Sequence, residues 1–489
     1  MPTVTLTYGY DKNGNRISVA DNLGVRQDSV YGSRNELLSR TMTGVGVDPT
    51  RVEFEYRANG ERSKLKRFAD ATGTTLVGSS TYAYYKNELS KSIIHANAAG
   101  ATLVRYDYTY DDDGRLTQET HHGDTYQYGY DRTSQLLTVV KDGSLFESFS
   151  YDKNGNRITV TGPTAGSYQT GAGNRYITDG TFTYTYDAEG NTKTKTGIAS
   201  GNVTEYFWDY RNRLVKVTVL NIGGIALQAV DFIYDPQGRR ISEAMNGTQA
   251  LRMISDGENS WIDMDLNGHR SNAYLHGERA DELIVVVADE SSWLLQDARE
   301  TVNDAITVAS QLLSNRSYSA FGNLLSSDIT NANMRFGFAG RESESINSLN
   351  YFRARHLDTY IGRFLNADPI GFSGGDTNLT RYTRNSPVDH TDPSGYTALS
   401  NFVIATTVGA TASGLSEIIS QVRTTGKVDL SKVGGAAFLV PQLGICILWG
   451  GEALWFVWFD SAVGRDEVGA AVFLQGPAGV VRRQVLVLG

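Results

Sequence analysis

The sequence predicts an all-β fold, an array of short β-hairpins followed by a short α-helical C-terminal tail. Two observations predict the hairpins: a motif of paired aromatic residues and a tight turn that recurs along the chain, and an unusual composition. The 489 residues include 27 Tyr and 51 Gly but only 9 Pro. Tyr favours strands, Gly favours tight turns, and scarce Pro leaves hydrogen-bond ladders uninterrupted. Apolar residues at helical spacing near the C-terminus predict the tail.

The recurring unit has two aromatic residues separated by one residue, then Asp, a turn containing Gly, and a return segment that starts with Arg or Asn and an aliphatic residue. One copy runs from Tyr8 to Ile17, and a nearly identical copy runs from Phe149 to Ile158. Other copies have their second aromatic residue at Tyr110, Tyr130, Tyr186 and Tyr234. The recurrence of this motif along the chain indicates that each repeat is one supersecondary unit.

The physical chemistry of the unit predicts a β-hairpin. Aromatic residues two positions apart lie on the same face of a strand, because side chains alternate along it. The Asp-x-x-Gly segment is typical of a turn, since Asp accepts backbone N–H groups and Gly takes a positive φ. A single hairpin cannot bury its aromatic face, so we expect the hairpins to stack side by side. The alternative to this architectural role is that some aromatic pairs bind sugars.

These repeats resemble the YD repeats of the Rhs and Tc-toxin C families and, more distantly, those of the teneurin ectodomain. The resemblance covers roughly residues 1–396. It implies that the strands form part of a hollow shell, or β-cocoon, around a C-terminal cargo. The predicted domains are a repeat shell at 1–330, a core domain at 331–396 and a variable tail at 397–489.

The segment 331–396 resembles the Rhs repeat-associated core domain through short motifs in a fixed order. They include Asn350–Arg355 (Asn-Tyr-Phe-Arg-Ala-Arg), Gly362–Leu365 (Gly-Arg-Phe-Leu), Asp368–Gly371 (Asp-Pro-Ile-Gly) and Asp392–Gly395 (Asp-Pro-Ser-Gly). The resemblance implies that this core closes the shell and releases the downstream segment by aspartyl-type autoproteolysis. In that family the chain is cut after the residue that follows the second Asp-Pro-x-Gly, so the expected scissile bond is Tyr396–Thr397.

The candidate catalytic residues are Asp368 and Asp392. Two neighbouring carboxylates cannot both ionise cheaply, so one would act as general base while its protonated partner polarises the scissile carbonyl. The family has Leu where this chain has Tyr396, which is also large and apolar in its body. The alternative interpretation is that both Asp-Pro-x-Gly segments are ordinary turns.

Five further residues are predicted to support the core. Gly371 and Gly395 occupy the fourth position of the two Asp-Pro-x-Gly turns. Arg353, Arg355 and Arg363 carry positive charge that could neutralise the carboxylates, although arginines in such strands are as often structural ion-pair partners.

Composition excludes several classes of function. The net charge of −9 argues against nonspecific nucleic-acid binding, which requires a basic surface. Cys446 is the only cysteine, which excludes an intrachain disulfide framework. Neither a cofactor nor a metal site is predicted. The N-terminal residues lack a signal peptide, so the interpretations are secretion or surface display by a specialised system, or a fragment of a longer chain.

The tail leaves several interpretations open. Residues 402–422 have apolar side chains at helical spacing, and residues 433–451 form an uncharged stretch long enough for a membrane span. The tail is therefore a membrane-inserting toxin, a cargo folded inside the shell, or a decayed terminus. No histidine follows His390, which argues against a His-dependent nuclease or protease. The expected partners are the tail itself as cargo, an immunity protein, glycans or a target membrane.

Three functions follow from these observations. The first is the shell and self-cleaving core of a polymorphic toxin that encapsulates and releases its C-terminal segment. The second is a non-catalytic cell-surface adhesion protein that binds carbohydrate through its repeats, and the third is an inactive truncated remnant.

Overall fold

The computed structural model describes residues 3–327, 335–344, 346, 348–396 and 399–400, and the backbone of five strands between residues 438 and 488. These residues form antiparallel sheets in which each strand pairs with the next strand along the chain. The described part contains no α-helix. The hairpin array expected from the repeats is therefore confirmed.

The first large sheet contains β1 to β15 in sequence order. Its strands are β1 (Leu6–Tyr10), β2 (Arg16–Asp21), β3 (Val25–Tyr31), β4 (Leu37–Gly44), β5 (Val47–Tyr56), β6 (Arg62–Phe68), β7 (Leu76–Tyr84), β8 (Ser90–Asn97), β9 (Thr102–Tyr110), β10 (Leu116–His121), β11 (Asp124–Tyr130), β12 (Leu136–Lys141), β13 (Ser144–Tyr151), β14 (Arg157–Thr161) and β15 (Gly166–Ser167).

The second large sheet contains β16 to β31, again in sequence order. Its strands are β16 (Gln169–Thr170), β17 (Tyr176–Thr178), β18 (Phe182–Tyr186), β19 (Thr192–Gly197), β20 (Val203–Trp208), β21 (Leu214–Leu220), β22 (Ala226–Tyr234), β23 (Arg240–Met245), β24 (Thr248–Asp256), β25 (Asn259–Met264), β26 (Arg270–His276), β27 (Leu283–Val287), β28 (Ser292–Gln296), β29 (Val302–Ile306), β30 (Leu312–Tyr318) and β31 (Leu324–Ser327).

Three smaller sheets follow, and short 3₁₀ turns lie between strands. The strands are β32 (Glu342–Ser343), β33 (Leu349–Phe352), β34 (Arg355–Asp358) and β35 (Arg363–Phe364) in one sheet, β36 (His390–Thr391) and β37 (Leu399–Ser400) in another, and β38 (Phe438–Val440), β39 (Ile445–Gly450), β40 (Ala453–Phe459), β41 (Val468–Gln475) and β42 (Val481–Leu488) in the last. The 3₁₀ turns are Ala172–Asn174, Phe338–Gly340, Gly371–Gly374 and Thr383–Asn385.

Each repeat turn is stabilised by its own Asp, as the sequence predicts. In the first repeat the Asp11 carboxylate accepts the backbone N–H groups of Asn13 and Asn15, both at 2.9 Å. Gly14 has a φ of +84°, in the left-handed region that favours glycine. The strand register shifts between Gly9 and Tyr10, just before the turn. This bulge sets where the return strand begins.

A second contact links several hairpins to the preceding one. The second aromatic side chain of a repeat donates a hydrogen bond to a backbone carbonyl of the earlier return strand, as Tyr130 does to Leu116 O at 2.6 Å. The same contact joins Tyr56 to Leu37, Tyr151 to Leu136, Tyr186 to Tyr176, Trp208 to Thr192 and Tyr234 to Leu214. The first aromatic residue is instead buried, for example Tyr108, Phe149 and Phe232.

The two large sheets and the segments 335–369 and 378–396 share buried apolar contacts. One continuous cluster includes Val52 of β5, Trp293 of β28 and Phe352 of β33. Buried ion pairs cross between these parts, such as Lys195 of β19 with Asp358 of β34, whose Nζ and Oδ2 atoms are 2.7 Å apart. Burying this much apolar surface is the main favourable contribution to the fold.

The described residues up to 369 and from 378 to 400 form one compact unit. A second unit contains residues 370–377 and the tail strands β38 to β42. Within it, the tail strands pair as an antiparallel meander. The helix expected over 402–422 lies outside the described residues. Part of the uncharged stretch 433–451 is described, and it forms β38 and β39. Among the described residues, no helix is long and apolar enough to cross a lipid bilayer.

Candidate functional site

The candidate site is built around the tight turn that joins β33 to β34. Phe352 pairs with Arg355 across this turn, which leaves Arg353 and Ala354 as its two central residues. Arg353 has a φ of +55°, a conformation that is uncommon for a residue with a side chain. The turn faces the second Asp-Pro-x-Gly segment, Asp392–Gly395, which precedes the expected scissile bond.

Three consecutive residues of this turn bind three consecutive carbonyls of that segment. Arg353 donates a hydrogen bond to Pro393 O, and the backbone N–H of Ala354 donates to Ser394 O at 3.3 Å. The Nε of Arg355 donates to Gly395 O at 2.5 Å. We call these contacts between 353–355 and 393–395 the carbonyl cradle. They hold the main chain in place up to the residue before Tyr396.

Arg355 also joins the two candidate catalytic carboxylates. Its Nη2 atom lies 3.1 Å from Asp368 Oδ2 and 3.0 Å from Asp392 Oδ2. Sharing one nitrogen places the two oxygens within about 6 Å of each other. The side chains of Asp368 and Asp392 are 8% and 2% exposed, so this charge cluster is largely desolvated. The guanidinium carbon lies 3.6 Å from the centre of the Phe364 ring, which covers it.

Asp392 is also bound to the residue whose carbonyl would be cut. Its Oδ1 accepts the Tyr396 N–H at 3.0 Å and the Ser394 hydroxyl at 3.2 Å. The N and carbonyl C atoms of one residue are about 2.5 Å apart, so the Tyr396 carbonyl carbon lies within about 5.5 Å of Asp392 Oδ1. Thr397, on the other side of the expected scissile bond, lies outside the described residues.

The two predicted glycines differ in their surroundings. Gly395 has a φ of +71°, and a Cβ added there would lie 2.1 Å from Phe352 O, so no side chain fits. This close approach is what allows the carbonyl cradle to form. Gly371 belongs to the unit of residues 370–377. It has a φ of +58° and no atom within 4 Å of where a Cβ would be.

The remaining predicted arginines connect the core to the large sheets. Arg363 donates hydrogen bonds to Asn156 Oδ1 and Asn174 O, both at 2.5 Å, and its guanidinium lies 4.1 Å from the Tyr176 ring centre. Arg353 pairs with Asp281, the loop residue before β27. These two arginines therefore have no contact with Asp368 or Asp392 among the described interactions, and Arg355 alone of the three joins them.

Tyr382 is a site residue that the sequence analysis did not identify. It is fully buried and its ring packs against Phe338, Phe352 and Phe364. Its hydroxyl has no hydrogen-bond partner among the described residues. Burial and the negative charge of Asp392 hold the pKa of Tyr382 well above its usual range. Tyr382 stands among polar residues and outside the motifs of the core, so the sequence carries no signal that separates this role from ordinary core packing.

The geometry suits acid–base chemistry on a peptide bond. Two buried carboxylates lie together, and one of them is bound to the backbone beside the expected scissile bond. A carboxylate in such a place can take a proton from an attacking water, and a protonated partner can polarise a carbonyl. The Phe364 ring, which covers Arg355, lowers the local dielectric and so strengthens these interactions.

Comparisons with known proteins show the family of the chain. The teneurin YD-shell family model matches residues 120–388. The chain is 26% identical over 309 residues to the tRNA3(Ser)-specific nuclease WapA of Bacillus spizizenii, covering 58% of this chain and 11% of that protein. It is 26% identical over 330 residues to the double-stranded DNA deaminase toxin A of Burkholderia cenocepacia, covering 60% of this chain and 22% of that protein.

Solved structures share the fold. The crystal structure of TcdB2-TccC3-Cdc42 superposes with a TM-score of 0.67 at 17% identity, covering 83% of this chain and 22% of that one. The chain thus spans less than a quarter of the length of each of these proteins. The family match covers more than half of the chain and includes the repeats that follow residue 120, Arg355 and Asp368. The chain belongs to the teneurin YD-shell family.

Proposed function

We propose that this chain is the shell and the self-cleaving core of a polymorphic toxin, and that it encapsulates its C-terminal segment and releases it by cutting the Tyr396–Thr397 bond. In this proposal residues 1–330 are the shell, 331–396 the core and 397–489 the released cargo. The observation that carries it is the position of Asp392, which shares Arg355 with Asp368 and binds the Tyr396 N–H.

The residues divide the chemistry as follows. One of the two aspartates, ionised, takes a proton from a water that attacks the Tyr396 carbonyl carbon. The other, holding a proton, donates a hydrogen bond to the carbonyl oxygen as negative charge develops there. The C–N bond to Thr397 then breaks, and the amine leaves with the proton that the first aspartate took from the water, so both aspartates return to their starting states. Each chain cleaves once, because its own backbone is the substrate.

Arg355 and the carbonyl cradle provide the geometry for this step. A peptide bond held rigidly beside its catalytic groups reacts as an intramolecular substrate, which is worth several kcal/mol of the barrier. Arg355 fixes both carboxylates through one planar guanidinium group and also holds the Gly395 carbonyl. It is therefore the residue that aligns the bond with the two acids.

The relatives support a toxin role for the assembly. One is named as a tRNA nuclease and another as a DNA deaminase toxin, and each extends well beyond the part that this chain matches. By analogy we propose that the shell is exported by a specialised system and that the tail acts on a target cell. Its partners would be the tail as cargo and, in the producing cell, an immunity protein.

Intact mass tests the cleavage directly. We expect the freshly purified wild-type chain to appear as two species, residues 1–396 and 397–489, and Asp368→Asn and Asp392→Asn to remain whole. Asp187→Asn is the matched control, because Asp187 also accepts the N–H four residues later in a turn, at 2.8 Å, but lies in an ordinary repeat. We expect this control to cleave like the wild type.

Two results would overturn the proposal. A single wild-type species of 489 residues would mean that the Asp-Pro-x-Gly segments are turns and that the protein is a non-cleaving scaffold. Cleavage that survives both aspartate substitutions would mean that other groups perform the chemistry.

A further inference from the structure

Asp281 lies in the loop between β26 and β27 of the second large sheet, outside every motif of the core. It is buried and has a φ of +60°. Two core arginines bind its carboxylate. Arg341 Nη1 donates to Asp281 Oδ1 at 2.6 Å, and Arg353 donates to both oxygens, at 2.6 Å and 3.3 Å. One carboxylate of the second sheet thus holds two cations of the core.

Arg353 transmits this contact to the cleavage segment. Besides Asp281, its guanidinium donates to Glu258 O at 3.2 Å and 3.3 Å, and to Pro393 O in the carbonyl cradle. A guanidinium group is planar and rigid, so fixing it on Asp281 also fixes the direction of the N–H group that points to Pro393. Ala354 and Arg355, which make the neighbouring cradle contacts, lie in the same turn as Arg353.

The charges show what Asp281 contributes. Arg341 is buried and Arg353 is partly buried, and both lie beside the same carboxylate. Burial, and then the positive charge of Arg353, lower the pKa of Arg341. For Arg353, burial also disfavours the charged form, but the charges of Asp281 and Glu258 outweigh it and raise its pKa. Without the Asp281 charge the two guanidinium groups would repel each other, and Arg353 would keep only its contacts with Glu258 and Pro393.

We propose that Asp281 is a positioning residue for self-cleavage, through which the second large sheet holds the Asp392 turn in its reactive geometry. This inference rests on the proposed function, because it concerns the rate of the same bond cleavage. Asp281 touches neither candidate catalytic carboxylate among the described contacts. It acts through Arg353 and the Pro393 carbonyl, so that cleavage requires the β26–β27 loop to be in place.

The test is a time course of cleavage during cell-free synthesis of the full chain, with samples quenched and analysed by intact mass. We expect Asp281→Asn to cleave about tenfold to a hundredfold more slowly than the wild type, since small misplacements of reacting groups have effects of this size. Asp281→Glu, which keeps the charge, should restore part of the rate. Because Asp281 acts through Arg353, the double variant with Arg353→Gln should be no slower than Arg353→Gln alone.

Glu282→Gln is the matched control. Glu282 is the next residue of the same loop and is equally buried, but its carboxylate pairs with Arg62 of the first sheet. If Asp281 acted only by stabilising the loop, Glu282→Gln would slow cleavage as much. Limited proteolysis of each variant reports whether the fold is retained.

The outcomes separate the two proposals. A wild-type chain that never cleaves contradicts the proposed function itself. A wild-type chain that cleaves while folded Asp281→Asn cleaves at the same rate contradicts the role of Asp281. Three further results would also contradict it. One is that Glu282→Gln slows cleavage as much as Asp281→Asn, and another is that Asp281→Glu restores none of the rate. The third is that Asp281→Asn is unfolded while Glu282→Gln is normal, and that Asp281→Glu does not restore the fold.

Discussion

Replacing Glu147 by Gln should make the shell more stable at high pH while changing little at low pH. Glu147 lies on β13 with its side chain almost completely buried, beside a cavity of about 50 Å³ that Glu119 and Arg299 also line. One carboxylate oxygen accepts the Ala320 N–H at 2.8 Å. Burial raises the pKa of Glu147 from 4.5 to about 7, although the Ala320 hydrogen bond and the charge of Arg157 lower it.

The direction of the effect follows from proton linkage. Because the pKa is higher in the folded protein, the unfolded chain releases the proton of Glu147 first as the pH rises. The group leaves stability unchanged below about pH 4.5 and lowers it progressively from pH 4.5 to 7. A shift of this size corresponds to about 3 kcal/mol, since one pKa unit is worth about 1.4 kcal/mol. Gln keeps an acceptor for the Ala320 N–H but has no charge to bury.

The assay is urea denaturation of both proteins between pH 4.5 and 8, in an Asp392→Asn background that keeps the chain whole. We expect the free energies of unfolding to agree within about 1 kcal/mol at pH 4.5 and to differ by up to about 3 kcal/mol at pH 8, with Glu147→Gln the more stable. Glu189→Gln, at an exposed position, is the control and should follow the wild type at every pH. Parallel curves for wild type and Glu147→Gln would refute the reasoning.

Two further substitutions test how the repeats and the core are held together. Tyr151→Phe removes the hydrogen bond to Leu136 O and should lower the free energy of unfolding by about 1 kcal/mol, whereas Tyr210→Phe, at an 86% exposed ring, should have no measurable effect in the same urea titration. Lys195→Met leaves the buried Asp358 without its cation and should lower the free energy of unfolding by about 3 to 5 kcal/mol. Adding Asp358→Asn should recover part of that loss. Equal stability of the single and the double variant would contradict an uncompensated charge at Asp358.

The sequence predicts the hairpins well because their determinants are local. The alternation of Tyr8 and Tyr10, the Asp11 turn and the positive φ of Gly14 all lie within a few residues of one another. The hydrogen bond between successive hairpins is less visible. Tyr130 and Leu116 are on different repeats. Nothing in the sequence of one repeat shows that the hydroxyl of its second aromatic residue binds a carbonyl of the previous repeat.

The candidate site was predictable only in part. Motif resemblance identifies Asp368, Asp392 and Arg355, which the structure brings together, but it does not show that one nitrogen of Arg355 joins both carboxylates. Asp281 was missed because its partners are far away along the chain and its loop belongs to no motif. Such long-range pairings depend on how the sheets pack, which hydrophobic periodicity does not encode.

The distribution of these contacts bears on when cleavage can occur. The peptide segment before Tyr396 is held by residues 353–355, and Arg353 is held in turn by Asp281 and Glu258 of the second sheet. None of these contacts is local, so none forms until distant strands have packed. Gly395 lies so close to the Phe352 carbonyl that the Asp392 turn packs directly on the hairpin of β33 and β34. We therefore expect cleavage to follow assembly of the second sheet, so that the cut itself reports a completed fold.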